Sequence, residues 1–277
     1  MIYAIVAVHN RWEFTKKFLA SLARQALPPE MSIHTVVVDD GSSDATSRGL
    51  SGQPHTTVIT GDGSWWWAGS VNRGLTWVKS QFSDSDYVYL GNNDTILSPD
   101  HLQTLICSAK ENACDLVGSV SFEIWPTGEQ HPVTNAFSID SKRLAVVNIP
   151  PADIGRTRID ALAGRGLLLS ARAAREIHFQ PRLMPQHFAD LAATANVIRS
   201  GLRPCVALAA ESVQLERAGS SVEFKPGLSQ VMNKRSPLFI PALVSFWLGQ
   251  SPRRLPLLWR MPWRGLREMT RGSYRVR

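Results

Sequence analysis

Asp39 and Asp40 belong to the sequence VVVDDGSSD, whose residue types could bind a nucleotide. The two carboxylates directly follow an apolar run, residues 33–38, and precede Gly41. In that position they can accept hydrogen bonds from a base or a ribose. The same residue types also suit an ordinary turn into a helix, because Asp, Gly and Ser are common in turns. This segment alone favours the two interpretations equally.

A run of three tryptophans in TGDGSWWWAGSVNRGL, residues 60–75, is harder to explain as a turn. Three adjacent tryptophans cannot all face a core from a loop, and exposing them is unfavourable unless something covers them. We therefore expect at least one of them to line a binding site, with one or two in the core. A helix predicted to begin at Gly69 would direct its N-terminus at the same place and could help to neutralise a diphosphate.

Asp94 is the candidate metal ligand, because it ends the segment GNND after the apolar run 87–90. Hard divalent cations prefer oxygen ligands, and Mg²⁺ bound with a nucleotide typically takes one or two protein carboxylates beside phosphate oxygens. The alternative is an Asn-rich turn. The metal interpretation gains support from position, since two other polar clusters also follow strands upstream.

Asp190 is the candidate for acid–base chemistry. It lies in MPQHFAD near the start of a predicted helix, with His187 three residues before it. An acidic residue in the first turn of a helix is also stabilised by the helix dipole alone, and a lone histidine is more often an ordinary polar residue. The segment by itself leaves both roles open.

Alternating strands and helices position these clusters. The hydrophobic patterns predict strands at Ile2–Val8, 33–38, Thr56–Thr60, 87–90 and Leu116–Ile124, and helices at 12–25, from Ser43 or Asp44, at 69–82 and at 99–112. This order predicts an α/β fold with a mostly parallel, doubly wound sheet. Such sheets bind ligands at the carboxyl ends of their strands, so the polar clusters should converge on one edge.

The second half of the chain is less regular. Residues 126–160 contain several prolines and are predicted to be a loop-rich connection, followed by a strand at 164–170 and a helix at 188–200. We divide the chain into a domain at 1–220, with halves 1–125 and 126–220, and a basic, apolar C-terminal extension at 221–277 that we expect to be helical.

Composition narrows the protein class. The length of 277 residues and the 44% hydrophobic content suit one large domain. Cys107, Cys114 and Cys205 lack CxxC spacing, which argues against a disulfide framework or a zinc site and favours a reducing cytoplasm. The N-terminus opens directly into the run Ile2–Val8 without the positive leading segment of a signal peptide.

The net charge of +7 is confined to the end of the chain. Residues 251–277 contain eight arginines against Glu268, whereas the rest of the sequence is neutral, which argues against a nucleic-acid groove across the fold. The apolar run 237–249 is shorter than the ~20 residues that span a bilayer. Arginines mixed with Leu, Trp and Met predict a segment that lies on an anionic membrane surface, and a solvated or core-docked helix is the alternative.

Six segments follow one another along the chain: AIVAVHNR, VVVDDGSSDAT, GDGSWWWAGSVNRGL, LGNNDT, GRGLLLS and MPQHFAD. In this order and spacing they resemble the motifs of family 2 glycosyltransferases. The GDGS…WWAG and NND variants are most similar to bacterial rhamnosyltransferase-type members, and the similarity covers roughly residues 1–205. The resemblance implies a GT-A fold and an inverting, metal-dependent transfer of a sugar from a nucleotide diphosphate-sugar to a saccharide or lipid-linked acceptor in surface polysaccharide synthesis. With the cysteine pattern and the basic tail, we expect a cytoplasmic protein that is peripheral at the inner face of the cell membrane.

The resemblance also implies roles for single residues. Asp190 matches the general base, and Asp94 matches the ligand of Mg²⁺ or Mn²⁺ in the family's DXD motif, whose first positions are Asn92 and Asn93 here. The residues that it places at the nucleotide-sugar are His9, Asp39, Asp40, Asp62, Gly63, Trp66, Asn72 and Asn93. The family often continues its base motif with a further Asp and an Arg, and those places hold Ala192 and Asn196 here.

Other functions are open from the sequence. A nucleotidyltransferase would need a Gly-rich phosphate loop near the N-terminus, which HNRWEF lacks. A catalytically degenerate transferase that acts as a nucleotide- or sugar-binding scaffold is the non-enzymatic alternative, and turnover of donor distinguishes it from an enzyme.

Overall fold

The structure is a computed structural model that describes residues 1–125, 128–217, 231–234, 236–237 and 239–250. Most of the predicted C-terminal extension lies outside the described residues, and this includes the predicted membrane-binding segment 251–277.

Within the described residues, nine strands form one sheet in the order β3-β2-β1-β4-β11-β6-β12-β5, with β7 paired to β6. Its strands are β1 Ile2–Val8, β2 Ile33–Asp39, β3 Thr56–Thr60, β4 Tyr87–Asn92, β5 Thr95–Leu97, β6 Leu116–Ile124, β7 Gln130–Thr134, β11 Leu167–Ser170 and β12 Pro204–Arg217. Strands β1 to β4 are parallel, as predicted, whereas β11 runs antiparallel to both β4 and β6. The sheet is therefore mixed.

The helices cover both faces of the sheet. They are α1 Trp12–Ala23, α2 Thr46–Leu50, α3 Trp66–Lys79, α4 His101–Glu111, α5 Ala171–Glu176, α6 Ala189–Arg199 and α7 Ile240–Gln250. Three helices begin two or more residues from the predicted start. Helix α2 begins at Thr46, α4 begins at His101 instead of 99, and α3 begins at Trp66 instead of Gly69. The last two tryptophans of the run therefore belong to a helix.

The prediction of a loop-rich connection at 126–160 is wrong. Besides β7, this part of the chain forms β8 Ala136–Asp140 and β9 Ala145–Asn148, which pair with each other, and β10 Ala161–Leu162 follows and pairs with β8. Strands β7 to β9 are short and only partly buried, and β10 has only two residues, so the apolar pattern of this region is weak. Pro132 is tolerated in β7 because that strand pairs with β6 along one side in the described part of the chain.

Strand β1 shows how the two faces of the sheet are filled. Tyr3 and Ile5 belong to a buried cluster that includes residues of α3, α5, α6 and α7, whereas Ile2, Ala4 and Val6 belong to a second cluster with residues of α1 and α4. Alternate residues of a strand point to opposite faces, so a continuous apolar run is buried on both sides. None of the helices in the described ranges is both long and apolar enough to cross a membrane.

Candidate functional site

The predicted polar clusters lie at one edge of the sheet. Val8 at the end of β1 is paired with Asp39 of β2, and the neighbouring Ala7 is paired with Asn92 of β4. The N–H of Asp40 donates to the carbonyl of Val8 at 2.9 Å, which continues the ladder past the end of β2. The strand ends therefore bring the loops after β1, β2 and β4 together.

Asp40 connects the loops that follow β1, β2 and β3. One carboxylate oxygen accepts the N–H of Gly63 at 2.9 Å and the other accepts the N–H of Trp66 at 2.8 Å. Its main-chain carbonyl accepts the Nδ1–H of His9 at 2.6 Å. His9, Asp40, Gly63 and Trp66 are thus in direct contact, although they come from three separate segments of the sequence.

The loops after β2 and β3 approach so closely that side chains are excluded. Gly41 has a φ of +68°, and a Cβ placed on it would lie 2.7 Å from the nitrogen of Gly63. A Cβ on Gly61 would lie 2.6 Å from a carboxylate oxygen of Asp40. Both glycines are required by the packing, since real Cβ atoms do not approach other atoms so closely.

Asp39 and Asp62 shape the loops that carry them. Asp39 is buried and accepts the N–H of Ser42 at 3.0 Å and the hydroxyl of Ser47 at 2.7 Å, one on each oxygen. Asp62 is exposed, and the hydroxyl and N–H of Ser64 donate to one of its oxygens, which holds the pKa of its carboxyl below the usual range. Asp62 remains accessible to a ligand, whereas Asp39 is enclosed in the turn.

The three tryptophans have three different surroundings. The guanidinium of Arg73 lies 3.6 Å from the ring centroid of Trp65. Trp66 has a φ of +57°, an uncommon value for a residue with a side chain, and its N–H is held by Asp40. Trp67 packs edge-on against Phe179, with ring centroids 5.3 Å apart. Trp65 and Trp67 pack against the core, and Trp66 lies half-buried between them at the edge of the site.

Asn72 and Asn93 have structural partners. The side-chain amide of Asn72 donates to the carbonyl of Phe179 at 2.9 Å and accepts the N–H of the same residue at 3.2 Å. The amide of Asn93 donates to the hydroxyl of Thr15 in α1 at 3.0 Å. The structure thus places Asn72 on the side of α3 that contacts the 177–179 segment, and it ties Asn93 to α1.

Asp94 follows β4 and has an oxygen available for a cation. Among the described residues, its Oδ1 is buried and has no hydrogen-bond partner. Its main-chain carbonyl accepts the N–H of Leu215 at 2.7 Å, which fixes the turn against β12. A buried, unpartnered carboxylate oxygen fits a hard divalent cation. The described residues contain no cluster of three His, Cys, Asp or Glu that would hold a metal by protein ligands alone, so Asp94 would share the ion with a ligand.

Asp190 lies in the first turn of α6, and each of its carboxylate oxygens accepts one main-chain N–H. Gly164 donates to one oxygen and Leu191 to the other, both at 2.9 Å. Burial raises the pKa of Asp190, against the lowering effects of these hydrogen bonds and of His187. A carboxylate with a raised pKa is a better proton acceptor, which is the property of a general base.

Gly164 links the two parts of the site. A Cβ on this residue would lie 2.6 Å from the ring of Trp67 and 3.5 Å from the Cβ of Asp190. Trp67 follows Trp66, which is bonded to Asp40. A continuous series of contacts therefore runs from the Asp40 carboxylate to Asp190.

The sequence analysis did not identify Gly164, Arg165 or Asn135 as part of this site. Arg165 pairs with Glu123 at 2.6 Å and with Gln214 of β12, and Asn135 contacts the 163–166 segment. The two glycines that bracket the arginine in GRGLLLS are the signal in the sequence that could have indicated a close approach.

Three of the solved structures with a similar fold are compared with this chain below. A crystal structure of GalNAc-T7 with UDP, GalNAc and Mn²⁺ has a TM-score of 0.60 at 11% identity, over 79% of this chain and 44% of that one. S. aureus TarS 1-349 has a TM-score of 0.61 at 18% identity, over 99% and 93%. The mannosyltransferase PcManGT from Pyrobaculum calidifontis with GDP-Man and Mn²⁺ has a TM-score of 0.57 at 13% identity, over 99% and 76%.

These identities are low, so the likeness establishes the fold, and the GT-A fold predicted from the sequence is confirmed. The chain spans less than half of the GalNAc-T7 chain. None of the curated proteins compared with the chain matches it. The sequence model of the family described as Glycosyl transferase family 2 matches residues 3–161. This match covers more than half of the 277 residues, and the chain therefore belongs to glycosyl transferase family 2.

Proposed function

We propose that this protein is an inverting, metal-dependent glycosyltransferase that moves a hexosyl or rhamnosyl group from a nucleotide diphosphate-sugar to a saccharide or lipid-linked acceptor in surface polysaccharide synthesis. The observation that carries the proposal is the series of contacts from Asp40 through Trp66, Trp67 and Gly164 to Asp190. These contacts join the loops after β2 and β3 to a desolvated carboxylate, which supports a single site for donor and acceptor. The ligands in the GalNAc-T7 and PcManGT structures, nucleotides or nucleotide sugars with Mn²⁺, support a similar donor for this chain.

The donor side would be formed by the loops that Asp40 holds together. Asp62 is exposed beside Gly63 and can accept hydrogen bonds from a ribose or a base. His9 is exposed on the same edge, and Trp66 offers an aromatic surface next to it. Aromatic side chains suit the apolar face of a sugar or a base, because they contribute a large contact area.

Asp94 would hold Mg²⁺ or Mn²⁺ through its buried oxygen, together with oxygens of the donor diphosphate. When bound, such an ion offsets the negative charge that develops on the departing nucleoside diphosphate. The protein's own contribution is a rigid ligand, since the turn at Asp94 is hydrogen-bonded to Leu215 of β12.

Asp190 would act as the general base. Each of its oxygens accepts one N–H, so each retains a lone pair that can receive a proton. The acceptor hydroxyl oxygen attacks the anomeric carbon, the bond from that carbon to the diphosphate oxygen breaks, and the hydroxyl proton moves to Asp190. A single displacement of this kind inverts the anomeric configuration.

The basic segment 251–277 would bring the enzyme to an anionic membrane surface, where a lipid-linked acceptor resides. Its eight arginines and interspersed Leu and Trp residues support this part of the proposal. Sedimentation with anionic liposomes tests it. Binding that survives deletion of 251–277 would argue against it.

The enzyme class is tested by incubating the protein with a panel of nucleotide sugars and Mn²⁺ or Mg²⁺, with and without EDTA. We expect EDTA-sensitive release of one nucleoside diphosphate. Asp94→Asn should remove most of the metal stimulation, whereas Asp100→Asn, an exposed carboxylate farther along the same segment, should not. Nucleotide binding without turnover of any donor and acceptor pair would favour the degenerate scaffold.

A further inference from the structure

Asn135 is a buried polar residue between β7 and β8, and it is only 4% exposed. Its main-chain N–H donates to Ser119 and its carbonyl accepts the N–H of Ala163 at 2.7 Å. Its side-chain oxygen accepts the N–H of Ser119 at 3.1 Å. Buried amides are costly unless they are hydrogen-bonded, so this full use of the main chain and side chain indicates a position that specifies local geometry.

The side-chain NH₂ of Asn135 holds the segment 163–166, which we call the Gly164 loop. It lies 3.0 Å from the carbonyl oxygen of Ala163 and 3.2 Å from that of Arg165, with the carbonyl of Gly166 at 3.5 Å. Two amide protons directed at the carbonyls of the residues on either side of Gly164 fix the path of the chain there. The orientation of the amide follows from these partners, since carbonyls cannot donate.

Two glycines make room for this arrangement. A Cβ on Gly118 would lie 2.0 Å from the side-chain oxygen of Asn135, and a Cβ on Gly166 would lie 2.2 Å from the hydroxyl of Ser119. Gly166 also has a φ of +73°, which side chains rarely adopt. The contact between Asn135 and the Gly164 loop therefore depends on residues in three separate segments.

The Gly164 loop in turn holds Asp190. The N–H of Gly164 donates to the Asp190 carboxylate at 2.9 Å. The loop is also packed against the ring of Trp67 at Gly164. Asn135 does not contact Asp190 itself, so any effect that it has on the carboxylate passes through the Gly164 loop.

We propose that Asn135 is a positioning residue for the transfer reaction, because it fixes the Gly164 loop so that the Gly164 N–H stays on the carboxylate of Asp190. This inference rests on the proposed role of Asp190 as the general base. It adds a residue distant from the reacting atoms, whose loss should change the basicity and placement of that carboxylate and leave donor binding unaltered.

The direction of the effect on pH dependence follows from the contacts. The Gly164 hydrogen bond lowers the pKa of Asp190 from the value that burial would otherwise give. His187 lowers the same pKa through its charge, and Arg165 on the Gly164 loop is paired with Glu123. If the loop loosens, the hydrogen bond is lost and the pKa of Asp190 rises. The acid limb of the transfer rate should then move to higher pH.

The test compares Asn135→Leu with Asn112→Leu. Leucine is close to asparagine in size and adds no charge, and it removes the amide that holds the carbonyls of Ala163 and Arg165. Asn112 is the control because its amide donates to the carbonyl and the hydroxyl of Ser108 at 3.0 and 3.4 Å, within the end of α4. We expect Asn135→Leu to lower kcat by about tenfold to a hundredfold, the scale of a misplaced catalytic group, with an unchanged KM for donor and the acid limb at higher pH.

The outcomes separate the inference from the proposed function. Equal kcat values and acid limbs in the two leucine variants would overturn the positioning role. Asn135→Ser, which keeps one hydroxyl donor, should give an intermediate shift of the acid limb, and it serves if Asn135→Leu does not fold. Asp190→Asn is measured in parallel. Transfer at the wild-type rate in that variant would overturn the general-base assignment itself, whatever the asparagine variants show.

Discussion

In the loops after β2 and β3, the carboxylates of Asp39, Asp40 and Asp62 accept hydrogen bonds from nearby N–H and hydroxyl groups and thereby shape the loops. At the start of α6, the carboxylate of Asp190 accepts two N–H groups as well, but its surroundings are so poor in water that its pKa is raised. The hydrogen bonds from Ser64 lower the pKa of the Asp62 carboxyl, whereas burial raises the pKa of Asp190, which makes Asp190 the better proton acceptor.

This difference shows that residue type does not decide the role of a carboxylate. Asp40 and Asp190 each accept two main-chain hydrogen bonds. The N–H groups on Asp40 belong to Gly63 and Trp66, so this carboxylate joins the loops after β2 and β3. The N–H groups on Asp190 belong to Gly164 and to the adjacent Leu191, and desolvation outweighs these hydrogen bonds and raises the pKa of its carboxyl.

The largest expected effect on transfer comes from Asp190→Asn. An amide cannot accept the proton of the acceptor hydroxyl, so kcat should fall by ~10²–10⁴, the usual contribution of a general base. Nucleotide binding should be nearly unchanged, because the donor loops are held by Asp40. Single-turnover transfer and nucleotide titration measure the two quantities. A loss of nucleotide affinity with an unchanged kcat would reverse the comparison between the two regions.

A smaller effect is expected from Asp40→Asn. The asparagine side chain has one oxygen and one NH₂ group in place of two carboxylate oxygens. Its NH₂ group would face the N–H of Gly63 or of Trp66, so one of the two hydrogen bonds is lost and the loops loosen. Donor affinity should fall by about tenfold, since such bonds contribute about 1.5–3 kcal/mol. The acid limb of kcat should stay in place. The measurement is KM for donor across pH.

The control for Asp40→Asn is Asp140→Asn. Asp140 also shapes a turn, with one oxygen accepting the N–H groups of Lys142 and Arg143, but this turn joins β8 and β9. Donor affinity should be unaffected there. If both variants weaken donor binding equally, the loops at Asp40 have no special role on the donor side.

His101 is the residue whose replacement should change transfer least at neutral pH, and its replacement should clearly change the free energy of unfolding in acid. It is fully buried, accepts the hydroxyl of Tyr89 at 3.2 Å and donates its Nδ1–H to the carbonyl of Glu211 at 2.8 Å. Burial lowers its pKa from 6.5 to about 4. The unfolded chain therefore binds more protons between these values, and stability falls as the pH falls through this window.

Because of His101, the free energy of unfolding should be about 2 kcal/mol lower at pH 5 than at pH 7. His101→Gln should remove the difference, and urea unfolding at the two pH values measures it. Tyr89 and Leu102, which lie next to His101, belong to the cluster on the sheet face opposite that of Ala189 and Leu191. The acid loss of stability from His101 therefore arises away from the region around Asp190. An acid loss of activity in the folded protein can then be assigned to the region around Asp190.

Much of the first half of the fold was predictable from the sequence. The continuous apolar runs of β1 and β2 and the polar residues that follow them predicted parallel strands with a site at their carboxyl ends, and the structure confirms that edge. Hydrophobic periodicity and turn-forming residues are local properties of a sequence, so they predict strands and helices without knowledge of which segments pack together. The start of α3 was misjudged because three tryptophans resemble a loop rim more than a helix.

The second half was not predictable in the same way. The strands β7 to β10 are short and carry little apolar pattern of their own, so they depend on their pairing partners for stability. The placement of Asn72 and Asn93 at the nucleotide-sugar stays a prediction, and the structure adds that their amides donate to Phe179 and Thr15. An amide suits a ligand and a tether equally, and the choice depends on what the fold brings within reach.

The sequence by itself determined the order of the elements, the glycines and carboxylates at the strand ends, and the membership of glycosyl transferase family 2. Only the tertiary structure decided which carboxylate oxygens are occupied, that Oδ1 of Asp94 is buried without a partner among the described residues, and that Gly164 holds Asp190 across 26 residues of chain. Hydrogen bonding and desolvation depend on atoms distant in sequence, and these two terms set the reactivity of a carboxylate.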